Sequence, residues 1–261
     1  MYKSIQVEDF DISSFSGVTY EEINNYKKNK NEKIINIQDY LLDKNNRLSV
    51  DKIADNLFLD VNPDIFLSHS HADEKDVIRL AVLIEKKLNL NVFVDSCVWG
   101  NAFELLRKID EEYSYNLTKK TFNYHTRNQT TSNIFMILNA ALHRVIDNCE
   151  TFIFLGTDNS ISITDAFNDE KYISSPWIYS ELQFAKLVRR TKPRQISLES
   201  RKEVIAKSEA FDSAIEFAYS IPTTDAKLRN LRLNQWINTA MPLIEGQVNH
   251  PLDDLYKRIV H

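Results

Sequence analysis

The stretch "PDIFLSHSHADEKDVIRLAVLIEKKLNLNVFVDS", residues 63 to 96, decides the fold. After Pro63, the run from Ile65 to Leu67 is apolar without alternation, the pattern of a strand covered on both faces. In the following "DEKDVIRLAVLIEKKLN", Val77, Leu80, Ala81, Ile84 and Leu88 recur at helical spacing, so one face of a helix is apolar. "NVFVDS" then supplies a second short apolar run. A strand, a crossover helix and another strand in this order predict a βαβ unit with two parallel strands in one sheet.

The same alternation extends downstream. "AFELLRKIDEEY" predicts a second helix, "NIFMILNAALHRVIDNC" a third, and "ETFIFLGT" a strand apolar enough for the middle of a parallel sheet. Another helix starts at "SSPWIYSELQFAKLVRR", residues 174 to 190, with Ser175 as cap and Pro176 at the first helical position. "AIEFAYSIP" predicts a further strand and "LRNLRLNQWINTA" a closing helix. The expected fold is therefore α/β, a doubly wound, mainly parallel sheet of four or five strands. Ligands of such sheets bind beyond the carboxyl ends of the strands, here "SHSHAD", "DSCVWGN" and "GTDNS". Residues 1–60 are polar and rich in Asn and Lys, with helical patterns at "YEEINNYKKNK", "NIQDYLLD" and "SVDKIADNLF". They predict a helical N-terminal extension to a main domain of residues 61–261, itself lengthened by a polar segment near 113–133.

Composition narrows the function classes. The chain has 261 residues, 43% of them apolar, enough for a sizeable core. Its net charge of −5 is mixed in sign, and the cationic runs "KKNKNEK" and "VRRTKPR" are short, so no nucleic-acid partner is expected. No apolar run approaches the ~20 residues of a membrane helix, and the first residues carry acids rather than an apolar signal region, so a cytoplasmic protein without a membrane partner is expected. Cys97 and Cys149 form neither a disulfide framework nor a metal site by themselves. With four glycines there is no G-x-G-x-x-G and no phosphate-binding loop.

One charge interrupts an apolar face. Glu181 lies between Ile178, Leu182 and Ala185, on a helix that also carries Trp177 and Phe184. Two readings are open: a boundary glutamate in the second turn, stabilised modestly by the helix N-terminus, or a carboxylate held for chemistry.

Three separated motifs resemble the Toll/interleukin-1 receptor (TIR) domain family. Residues 63–96 are similar to its first strand, first helix and second strand, the first strand of the family typically ending in an Ile/Val-Ser-His/Tyr pattern, and the stretch from Asp95 to Ile109, with its ending "LLRKID", is similar to the family's loop and helix after the second strand. "TFIFLGTDNSISITDAFNDEKYISSPWIYSEL" is similar to its third strand and its S-x-W-x-x-x-E-L signature. The resemblance spans roughly residues 62 to 240. It departs at the 113–133 segment, expected to add a wall or lid, and at Gly100, which stands beside Trp99 in the loop expected after the second strand.

The resemblance implies one of two activities: cleavage of NAD at the nicotinamide–ribose bond, or non-catalytic scaffolding through TIR–TIR contacts. In the first, Glu181 is the catalytic residue and NAD is a substrate, with no cofactor and no metal. Nicotinamide leaves NAD as a neutral molecule, so the general acid of ordinary glycosidases is unnecessary and one carboxylate suffices. The products are ADP-ribose or a cyclic or conjugated relative, made by an NAD nucleosidase or ADP-ribose cyclase. Ser68, His69 and Ser70 are expected near the ribose, Asp95 at a ribose hydroxyl or the loop, Trp99 under a ring, Arg107 at a phosphate, and Trp177 as an apolar wall. For Trp99 a core position, and for Arg107 a solvated helix charge, read equally well. His69 and His71 lack partners at ligand spacing for a metal. A homo-oligomer, an effector that senses the product, and a role in antiphage defence or signalling complete the expectation.

Overall fold

A computed structural model describes residues 1–31, 37–41, 48–57, 62–118, 120–164, 170–193, 217–244 and 250–259; the side chains of 29–31, 37–38, 56–57 and 98–101 are outside that description. At its centre is a five-stranded, wholly parallel sheet of β1 (Lys3–Glu8), β2 (Ile65–Ser68), β3 (Val92–Val94), β4 (Thr151–Leu155) and β5 (Ala226–Arg229). The spatial order is β5-β1-β4-β2-β3. In register, Ile153 of β4 lies between Ile5 of β1 and Leu67 of β2, and Leu67 pairs with Val94 of β3.

Strand alternation divides the core in two. Ile65, Leu67, Ile153 and Leu155 face one side, with α1 (Tyr20–Asn31), α3 (Glu74–Leu88), α7 (Asn230–Thr239) and α8 (Pro251–Tyr256). Phe66, Phe93, Phe152 and Phe154 face the other, with α2 (Val50–Leu57), α4 (Ser96–Ile109), α5 (Tyr124–Asn148) and α6 (Pro176–Leu187). Every residue of β2 and β4 is buried, as helices on both faces of a parallel sheet require. The expected βαβ unit is present, and β4 is the middle strand. Among the described residues, no helix is long and apolar enough to cross a membrane.

Four elements differ from the sequence reading. Residues 1–60 are not wholly a helical extension: β1 is built into the sheet between β4 and β5, with Ile5 and Val7 fully buried. "AIEFAYSIP" contributes only Tyr219–Ser220, which joins Ile163–Thr164 and Lys171–Ile173 in a small antiparallel sheet, and its residues 214–216 are outside the description. The fifth central strand is "AKLR", whose alternating burial suits a sheet edge. The loop expected around Gly100 is helical, because α4 starts at Ser96 directly after β3.

The polar segment near 113–133 is a π-helical turn (Asp110–Ser114), a short hairpin pairing Tyr115–Asn116 with Thr121–Phe122, and the first turns of α5. Asn123 caps α5 by accepting from the Thr126 amide. The buried Asp110 accepts from Arg127 Nε at 3.1 Å and Thr130 Oγ1 at 2.8 Å, which ties the turn to the helix.

Candidate functional site

The site forms where β2 and β3 end and Glu181 of α6 meets Ser68. Ser175 accepts from the Ile178 amide at 3.3 Å and so starts α6, with Pro176 supplying a preset φ at the first helical position. From there, Ile178, Glu181, Leu182 and Ala185 form the buried stripe. Glu181 is thus carried inward by helical period, and only 2% of it is exposed.

Ser68, the last residue of β2, donates its hydroxyl hydrogen to Glu181 Oε2 at 2.6 Å. Because Leu67 pairs with Val94, the next residues along the two strands, Ser68 and Asp95, are neighbours at the carboxyl ends. Among the described residues, no donor reaches the buried Glu181 Oε1. The Asp95 carboxyl is its neighbour, close enough for a hydrogen bond once one of the two acids carries a proton. Burial first, then the Asp95 charge and this bond, hold the Glu181 carboxyl well above the usual carboxylate range, against the opposing bond from Ser68.

His69 continues the chain of polar groups. Its Nδ1 lies 3.0 Å from Asp95 Oδ1 and 3.4 Å from the Leu67 carbonyl, and its Nε2 lies 3.2 Å from Ser96 Oγ. Burial opposes a charge on this imidazole. The charge and hydrogen bond of Asp95, the Leu67 carbonyl and the charge of Asp73 outweigh it, and the pKa stands above the ordinary value of 6.5.

Of the expected residues, then, Ser68, His69, Asp95 and Glu181 converge. Ser70 heads the short 3-10 turn His71–Asp73, where its hydroxyl makes no capping bond. Half-buried Trp177 packs edge-on against Phe135 of α5, centroids 5.4 Å apart, so its ring is engaged in helix packing. Trp99 lies in α4 with its side chain outside the description. Arg107 is not brought to the site: it is exposed, pairs with Glu111 at 2.6 Å, and stands about 18 Å along α4 from Asp95 at 1.5 Å per residue. His71 is exposed and 3.8 Å from Glu74, and no metal-binding group of His, Cys, Asp or Glu occurs among the described residues.

Sequence reasoning missed Ser96, which follows Asp95 in "NVFVDS" and occupies the second nitrogen of His69. It also missed Asp73, in "SHSHAD", which accepts from Thr157 Oγ1 at 2.6 Å and Asn159 Nδ2 at 2.5 Å. Asp73 lines an open cleft of about 400 Å³ at the ends of β1 and β4, together with Asp9, Asp76, Asp158 and Lys171. Glu181 is not part of that cleft. Gly156 lines it too: a Cβ there would meet the Val7 carbonyl oxygen at 2.9 Å, so glycine permits the close approach of β4 to β1.

Comparison with models of known protein families, with curated proteins and with solved structures finds no match.

Proposed function

We propose that this chain is a TIR-type enzyme that consumes NAD, cleaving the nicotinamide–ribose bond to give ADP-ribose or a cyclic or conjugated product. The observation that supports the reading is the placement of Glu181: an acid in the buried stripe of α6, 2.6 Å from Ser68 at the end of a parallel strand. Parts of the sequence more than a hundred residues apart meet there, at the end of the sheet where ligands of α/β proteins bind.

The chemistry asks little of the protein beyond one well-placed charge. As nicotinamide departs neutral, the ribose becomes oxocarbenium-like, and a carboxylate can stabilise it electrostatically, trap it, or orient it through its hydroxyls. At about 4 Å and an effective dielectric near 20, one such charge is worth about 4 kcal/mol, roughly a thousandfold in rate. Ser68 orients the carboxyl. Only 2% of Glu181 is exposed, so in this proposal a nucleotide reaches it after assembly or activation opens the chain. A product-sensing effector and a role in antiphage defence belong to the same proposal.

A scaffold reading draws on a different observation: Tyr115, Leu117 and Phe122 of the hairpin and Tyr124 at the start of α5 expose large apolar side chains. Chromatography of NAD incubated with concentrated protein separates the two. Nicotinamide release by the wild type, abolished in Glu181→Gln and Glu181→Ala, is the expected outcome, and the second product peak identifies the reaction. Release undiminished in both variants refutes the role of Glu181, and assembly without any release favours the scaffold.

A further inference from the structure

We propose that Glu181 and Asp95 hold one proton between them, and that Asp95, fixed by His69, is the positioning residue that decides when Glu181 becomes a carboxylate. The catalytic half of this rests on the NAD reading, whereas the shared proton does not.

Hydrogen accounting locates the proton. The Ser68 hydroxyl hydrogen points at Oε2, so Oε2 is an acceptor. Among the described residues Oε1 has no donor, and the acid acting on Glu181 is a second carboxyl, Asp95. Two ionised carboxylates side by side in a buried site repel, and one proton converts that repulsion into a hydrogen bond. The imidazole decides which acid keeps the charge. His69 Nδ1 lies 3.0 Å from Asp95 Oδ1 and 3.4 Å from the Leu67 carbonyl, and its Nε2 lies 3.2 Å from Ser96 Oγ, a hydroxyl that accepts as well as donates, so the site accommodates an imidazolium beside Asp95. Its positive charge lies against Asp95, so Asp95 carries the negative charge and Glu181 Oε1 the hydrogen.

Other titratable groups packed around α6 point elsewhere. His143 of α5 lies 3.0 Å from Ser180 Oγ and stacks on Phe184 at 4.2 Å, and Tyr219 stacks on Tyr179. Asp73 acts on His69 rather than on Glu181. Among the described residues, Asp95 is therefore the charge acting on Glu181.

A cationic ring entering the site favours the ionised form of Glu181. The proton then passes from Oε1 to water, leaving a carboxylate and a hydronium ion, and the pyridinium of the substrate stands where the proton stood. Glu181 is neutral and compatible with burial at rest, and charged when a substrate of matching charge is present.

Infrared titration of the protein without ligand tests the proton itself. The expected wild-type spectrum has a protonated-carboxyl carbonyl band at neutral pH that is absent in Glu181→Gln. In Asp95→Asn the midpoint of that band falls by about one unit or more, a tenfold change in proton affinity. In Ser68→Ala, which loses the bond favouring the carboxylate, the midpoint rises. Absence of the band in the wild type, or a midpoint unmoved in both folded variants, overturns the proposal. Nicotinamide release measured on the same samples keeps the two readings apart. A moving band without release sinks only the NAD reading, and release lost in Glu181→Gln with an unmoved band sinks only the shared proton.

Discussion

Replacing Ser68 by Ala removes one hydroxyl from a fully buried position, and the consequence follows from what is left behind. The lost bond is 2.6 Å long, its donor is 0% exposed and its acceptor residue 2% exposed, so no water replaces it in the closed chain. Glu181 then keeps an acid whose Oε2 also lacks a donor. Stranding a buried polar group costs about 1–3 kcal/mol, which for a domain of this size lowers Tm by roughly 2–12 °C. The same substitution made in Glu181→Met strands nothing, because the acceptor is already gone, and its cost drops to a few tenths of a kcal/mol. Urea denaturation of wild type, the two single variants and the double variant at pH 7 measures the difference as a coupling energy of at least about 1 kcal/mol. Equal costs of Ser68→Ala in the two backgrounds would refute the reasoning, since the hydroxyl would then act by packing alone.

Two further outcomes are expected. Glu181 keeps its proton in the folded chain at pH values where the unfolded chain, with a carboxyl near 4.5, has lost it; the wild type therefore loses stability as pH rises from there toward the folded pKa. Glu181→Gln is predicted to be more stable than wild type at pH 7 and to lose that advantage at about pH 4, as read from paired melting curves. Ile5, fully buried at the centre of β1, is predicted to cost about 2–5 kcal/mol when truncated to Ala, the cost of a core aliphatic and far beyond that of a residue in a surface appendage; a loss under 0.5 kcal/mol in urea would return residues 1–8 to the role of an extension.

What the sequence made legible follows from how burial writes itself into residues. β2, α3, β3 and β4 were readable because each is covered on the side its apolar residues mark, over enough positions to set a period. β1 has only Ile5 and Val7 to mark it, between Ser4, Gln6 and Glu8, and both neighbouring strands are remote in sequence. Two alternating residues set no pattern, so pairing rather than propensity makes this strand. "AKLR" hid for the same reason, its alternation too short to separate from the helix that follows.

At the site, the motifs named Ser68, His69, Asp95 and Glu181 one by one. The approach of His69 to Asp95, and of Asp95 to Glu181, depends on the register of β2 against β3 and on the rotation of α6, which no single stretch encodes. Arg107 was offered by residue type, and twelve residues of helix carry it away from the strand ends.

The place of β1 between β4 and β5 also orders events in time. Lys3 pairs with Thr151 and Ile5 with Ala226, so on the ribosome the first strand waits for partners made much later. At about 5–20 residues per second, β4 follows it by roughly 7 to 30 s. During that interval Ile5 and Val7 have no sheet to enter, while β2, α3 and β3 are already complete and can form their own unit. Synthesis thus supplies the β2–β3 side of the central sheet early and the two neighbours of β1 late.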